Sequence, residues 1–267
     1  MPKEIIFNLG TILALCPLTI MGFKQHSKQN STFWILLGVA TVGPLLMLIV
    51  KLAGTWHTDL TTSIWATMTA TMILFTTIAM FTKESWKLAP LISGYMIFLG
   101  ILASVSNDNQ TGYLLQPGLS SIWLEIHIFI SITTYALVTI SAIASFSATY
   151  QEYSFKKKIK NSLNLMLPSV RDCDSLVVLL LTISETILGL GLISGIVVEY
   201  YTYDHLFSLN HKSILTVSAF VVIGMLLIAH FRIGLRGKRA ARYVLSAYLL
   251  MTLGYPGVKF VTEILLG

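Results

Sequence analysis

The chain has 267 residues, of which 55% are hydrophobic and only 11% charged, with a formal net charge of +6. Soluble domains carry roughly 25% charged residues, so this sequence cannot cover a water-facing surface. The cations gather between long apolar runs and form no continuous basic stripe, which makes nucleic acid a poor partner in spite of a pI near 9.3.

Crossing roughly 30 Å of hydrocarbon takes about 20 helical residues. Eight runs meet that demand, at about 4–23, 33–51, 63–82, 89–106, 120–150, 175–200, 212–232 and 241–262. The expected fold is all-α, a polytopic transmembrane bundle of about eight helices forming one integral membrane domain over 1–267, four helices in 1–119 and four in 120–267. The first run has no basic leader and no small-residue cleavage site, and is read as a retained helix. Pro17, Pro44 and Pro90 fall within runs, which a bilayer tolerates where neighbouring groups satisfy the freed carbonyls. Cys16 and Cys173 fall at different depths, so no disulfide and no zinc site is expected.

Alternate connections carry 14 of the 18 basic residues, among them Lys83 and Lys87, the run Lys156 to Lys158, and Arg232, Arg236, Lys238, Arg239 and Arg242. This asymmetry predicts that these connections face the cytoplasm and that both termini face outward, into the periplasm of a bacterial inner membrane. The outer connection 107–119 is polar, turn-rich and free of Lys and Arg. The inner one, 151–174, reads as an orienting charge cluster beside anionic headgroups.

His127 lies about two turns into the fifth run. His127, Ser131, Thr134, Tyr135, Val138, Ser141 and Ser145 follow each other by three- and four-residue steps. This stripe reads either as a helix-packing seam or as the wall of a cavity with an imidazole at its mouth. In the sixth run, Glu185 falls near mid-membrane, where an ionised carboxylate costs several kcal/mol. It is expected to face the bundle, carry a proton or have a partner, and Gly189, Gly191 and Gly195 beyond it predict close packing. Tyr200, Tyr201 and Tyr203, with His205 and His211, lie at the predicted outer interface, either as lipid-interface aromatics or as a platform for a flat ligand. His57 is a further outer candidate. His230 ends the seventh run, as an interfacial residue or a ligand for metal or haem. No phosphate loop, His-Glu-x-x-His or serine elbow occurs, so no enzymatic activity is expected.

Several segments in the C-terminal half resemble the cytochrome c assembly family of haem-handling membrane proteins, in particular its shorter, YpjD-like inner-membrane branch. They are Glu125-Ile126-His127, Thr134-Tyr135-Ala136-Leu137, Leu167-Pro168-Ser169, Leu190 to Gly195, Ala229-His230-Phe231-Arg232, Gly234 to Ala240, and Gly254 to Val258. They span about 123–262. The resemblance implies haem presented at the outer face on a tryptophan-rich loop flanked by histidines. By position, His127 matches the histidine before that loop and His230 the one ending the helix after it. The corresponding loop here, about 200–212, has no tryptophan, so Tyr200, Tyr201 and Tyr203 would do the stacking, with His211 as a substitute ligand. Arg232 or Arg236 would pair with propionates. The expected role is haem binding or passage in support of cytochrome c assembly or haem homeostasis, with other inner-membrane proteins as partners. Two alternatives stand beside it. One is an ion- or proton-coupled carrier built around Glu185. The other is a structural subunit that docks a partner through 151–174.

Overall fold

The computed structural model describes residues 2–21, 29–52, 59–105, 119–159, 161–203 and 211–257. The described elements are α1 (Pro2–Met21), α2 (Ser31–Leu52), α3 (Leu60–Phe81), a 3₁₀ turn (Ser85–Leu88), α4 (Ala89–Val105), α5 (Leu119–Lys157), α6 (Ser162–Met166), α7 (Val170–Tyr203), α8 (His211–Ile233), α9 (Lys238–Thr252) and a π turn (Leu253–Gly257). The fold is all-helical, and six of these segments are long and apolar enough to cross a membrane. The chain is therefore a polytopic helical membrane protein.

One of the eight expected spans looks different in the structure. The final helix, α9, is amphipathic: Ala241, Val244, Ala247 and Met251 are buried at three- and four-residue steps, and its first turns carry Lys238, Arg239 and Arg242. A hydropathy run cannot register such a face, because it averages the two sides together. Pro90, read as interior to a run, sits in the first turn of α4 behind the 3₁₀ turn, where a missing N–H costs nothing. The outer connection lies outside the described residues apart from Leu119, which opens α5.

The helices form two closed rings. α1 packs on α2 and α4, while α3 packs on α2 and α4. In the second ring, α5 packs on α7, α7 on α8, α8 on α9, and α9 back on α5. The rings meet chiefly along α3 and α5. α3 sits accordingly deep: most of Leu60 to Met72 is buried, including Thr61, Thr62, Ser63, Thr67, Thr69 and Thr71. Hydroxyls in hydrocarbon need acceptors, and these find them on their own helix. Thr67, Thr69 and Thr71 donate to the carbonyls of Ser63, Trp65 and Thr67 at 2.7–2.8 Å. The Asp59 carboxylate caps the helix by accepting from the Thr62 N–H at 3.2 Å.

α5 is the axis of the second ring. Its 39 residues give about 58 Å at 1.5 Å per residue, nearly twice the hydrocarbon thickness. The projecting end is tied to the connection that follows. The Gln151 amide donates to the carbonyls of Asn164 and Leu167 at 2.9 and 3.2 Å, folding α6 back onto α5. On the same face, the α8–α9 turn is set by Gly234 and Gly237, both in the left-handed region (φ +67° and +66°). Lys83 and Lys87 also lie at this end, since the 3₁₀ turn touches α5 and α7. It is called the basic face below.

Candidate functional site

α5 and α7 make the most intimate contact in the molecule. They run antiparallel, with His127 against Ser194 near one end and Ser147 against Cys173 near the other. Two glycines of α7 make the approach possible. A Cβ on Gly191 would stand 3.1 Å from Ile130 Cγ2, and one on Gly195 would stand 3.2 Å from His127 Cε1. The imidazole thus rests on the bare backbone of Gly195. Gly189 faces the other way, toward Phe220 of α8.

The hydrogen bonds at this contact fix the histidine's chemistry. Ser194 Oγ donates to the Gly191 carbonyl at 2.9 Å, so its oxygen is left as an acceptor. His127 Nδ1 lies 2.9 Å from that oxygen, and with the hydroxyl turned to Gly191 it is Nδ1–H that donates to it. The neutral ring then carries its lone pair on Nε2. An imidazole whose Nδ1–H is anchored and whose Nε2 is free is the arrangement found in metal-ligating histidines.

Below His127, the polar stripe is a packing seam. Thr134, Tyr135, Val138, Ser141 and Ser145 are buried. The hydroxyls of Ser131, Thr134 and Ser141 donate to the carbonyls of His127, Ile130 and Leu137. Tyr135 is the exception, because it reaches across the bundle. Its ring stacks on Tyr248 of α9, and its hydroxyl meets those of Tyr248 (3.4 Å) and Thr252 (3.1 Å). The Tyr248 hydroxyl also bonds that of Tyr95 on α4. Three helices from both rings thus share one phenol cluster. The sequence reading did not find it, because α4 and α9 are far apart in the chain and nothing local marks their pairing.

The remaining candidates lie apart. From His127 to Ser147 is 20 residues of α5, about 30 Å, so His127 and the basic face cannot share one ligand. His230 is at the basic face, where its Nδ1–H donates to the Leu235 carbonyl at 3.0 Å. The cavity beside it, lined by Asp174, Leu226, His230, Leu235 and Arg236 among others, measures about 20 Å³, room for about one water. Asp174 lies within electrostatic reach of Glu152, Arg236 and His230. Arg232 is exposed. Glu185 sits about midway between the two ends of α7. Its Oε1 would be 3.0 Å from a Cβ on Gly224 of α8, and its Oε2 is buried without a hydrogen-bond partner. Tyr200 is half exposed and meets Tyr201 edge-on at 5.8 Å. The helical backbone at Tyr203 and His211 is described, but their side chains are not, and His57 and His205 lie outside the described residues. No group of three or more His, Cys, Asp or Glu residues that could hold a metal ion occurs among the described residues.

An all-helical bundle with six helices long and apolar enough to cross a membrane defines a class, the multi-pass helical membrane proteins. Within that class, this chain belongs to the cytochrome c assembly protein family, whose model matches residues 31–266. The match reaches well beyond the C-terminal half in which the motifs were read, taking in α2 to α4. The chain is 40% identical over 272 residues, the full length of both chains, to a protein of Azospirillum brasilense named "Uncharacterized 28.8 kDa protein in nifR3-like 5′region". It is 26% identical over 186 residues to the inner membrane protein YpjD of Escherichia coli strain K12, covering 68% of this chain and 67% of that one. No solved structure matches.

Proposed function

We propose that this protein binds haem at the His127 end of the α5–α7 pair and so serves cytochrome c assembly or haem homeostasis as a non-enzymatic component of a bacterial inner membrane. The observation that carries the reading is the His127–Ser194–Gly191 contact; with the serine hydroxyl on Gly191, Nδ1 is protonated and Nε2 is left as a donor to iron. His127 would hold the iron, Ser194 and Gly195 would orient it, and the aromatic end of α7 at Tyr200 and Tyr203 would supply stacking surface, with His211 nearby in sequence. Bound haem would contribute an iron centre with redox and ligand-exchange chemistry. The chain's own work is to hold the ring, exclude lipid and keep the tautomer fixed. His230 offers an anchored imidazole at the basic face, with Arg232 and Arg236 for propionates, but a 20 Å³ cavity and an Arg236 already facing Asp174 favour the His127 end as the principal site.

Purification in mild detergent after haem-replete growth tests this reading. A Soret band is expected, lost in His127→Ala and largely kept in His230→Ala. Colourless protein that also fails to take up added haemin would refute it. The unpartnered Glu185 Oε2 favours one second reading, a proton- or ion-coupled carrier. That reading requires transport by reconstituted vesicles that Glu185→Gln abolishes and His127→Ala leaves intact.

A further inference from the structure

The corner of the basic face where α5, α8 and α9 meet carries more positive charge than any other part of the described structure. Arg232, Arg236, Lys238, Arg239 and Arg242 fall within eleven residues, and all five are exposed. α5 brings a second group to the same corner. Glu152 of α5 touches the α8–α9 turn, its Oε1 standing 3.0 Å from where a Cβ on Gly237 would lie. Lys156 follows one helical turn later on the same side of α5, with Lys157 next to it, and both are exposed. The acidic groups that face the corner are Glu152 and Asp174, and Asp174 is directed at Arg236 and His230. Among the described residues, none of these seven cations has a carboxylate within ion-pair distance. The turn that presents them is held by two left-handed glycines and by the His230–Leu235 bond, so the charges sit on a fixed scaffold.

What they face follows from the residues beside them. On α9, Arg242, Leu245, Leu249 and Leu253 succeed each other by three- and four-residue steps, and all are exposed, the leucines by 40%, 57% and 47%. Phe231 and Ile233, flanking Arg232, are 68% and 77% exposed. A cationic head above a continuous apolar stripe has the polarity of a phospholipid in reverse: charge at headgroup depth, hydrocarbon contact below it. A nucleic acid or an acidic peptide would use the cations and leave the leucines idle.

We propose that this corner is a binding site for an anionic phospholipid, its phosphate held by Lys238, Arg239 and Arg242 with Lys156 opposite, and one acyl chain lying along Leu245, Leu249 and Leu253. The site is separate from the haem reading, since it is on the face opposite His127 and does not depend on iron.

The test uses the full-length protein, delipidated in detergent and titrated with phosphatidylglycerol, with phosphatidylcholine or with inorganic phosphate, while thermal unfolding is followed and lipid adducts are counted by native mass spectrometry. Phosphatidylglycerol should raise the melting temperature and persist as an adduct, and phosphatidylcholine should do neither. Each cation near an anionic lipid surface is worth about 1 kcal/mol, so the Arg239→Gln/Arg242→Gln double variant should bind phosphatidylglycerol about thirtyfold more weakly. Lys87→Gln, at the other corner and beside Glu84, should bind like the parent. Equal effects of phosphatidylcholine and phosphatidylglycerol, unchanged binding by the double variant, or full reproduction of the shift by inorganic phosphate alone would each overturn the proposal. A melting temperature for the lipid-free double variant that matches the parent's keeps the comparison free of folding effects.

Discussion

Replacing Ser194 with Ala removes one oxygen from the α5–α7 contact, and the consequence can be followed atom by atom. In the parent, the serine hydroxyl is spent on the Gly191 carbonyl at 2.9 Å, which makes its oxygen an acceptor for His127 Nδ1 at 2.9 Å. Without it, the ring keeps only its backbone contact with Gly191 to set which nitrogen holds the proton, and it is held less firmly against the open surface of Gly195. Losing the hydrogen-bond partner of a metal-ligating histidine typically weakens binding by roughly 10- to 100-fold, equivalent to about 1.4–2.8 kcal/mol. The fold should hardly notice, because a polar contact between membrane helices averages about 0.6 kcal/mol. Haemin titration followed at the Soret band should thus show a Kd raised by one to two decades at nearly unchanged thermal stability, with partial recovery in Ser194→Thr. If Ser194→Ala bound haem as tightly as the parent while His127→Ala did not, the tautomer argument would be wrong even though the ligand assignment survived. If both variants bound normally, the site itself would be elsewhere.

Gly195→Ala should act on the same ring by contact. Its Cβ would lie 3.2 Å from Cε1, inside the usual 3.5–4.0 Å carbon separation, so the imidazole must move by a few tenths of an ångström; a shifted Soret maximum and weaker haem binding are expected, whereas Gly38→Ala, with nothing within 4 Å, should behave as the parent. Tyr135→Phe should cost about 0.6–1.7 kcal/mol by deleting the hydroxyl that joins Tyr248 and Thr252, read as a lower melting temperature with the haem spectrum retained. Glu185→Gln, at the α7–α8 crossing, should leave haem binding intact and stability equal or slightly higher, since a neutral amide is less costly to hold against Gly224 than a carboxylate; a large loss of stability would mean that the acid has a partner.

The membrane class and the positions of the six long apolar helices were legible because apolar runs of bilayer length are a one-dimensional signal. The last helix was legible only in part. α9 buries Ala241, Val244, Ala247 and Met251 on one face, and that face is defined by α5 and α8, which a linear scan does not see. His127 stood out by its place in a polar stripe, and Glu185 by its charge. Their surroundings did not: Gly195 read as a packing residue and Ser194 only as part of the Leu190 to Gly195 segment, and only the antiparallel pairing of α5 and α7 brings both against the imidazole. Of the two readings of the stripe, burial favours the packing seam, and the sequence left both open because helical hydroxyls can satisfy themselves on the preceding turn. Tyr95 and Tyr248, 153 residues apart, had no marker at all.

The phenol cluster has one further property. Thr252 also lies 2.8 Å from the Tyr248 backbone carbonyl, so the cluster is anchored to the backbone of α9 as well as to side chains. It rivets α4, α5 and α9 together, and so couples the two rings at a second place besides the α3–α5 seam: a displacement of α9 would be felt in α4, on the far side of that seam.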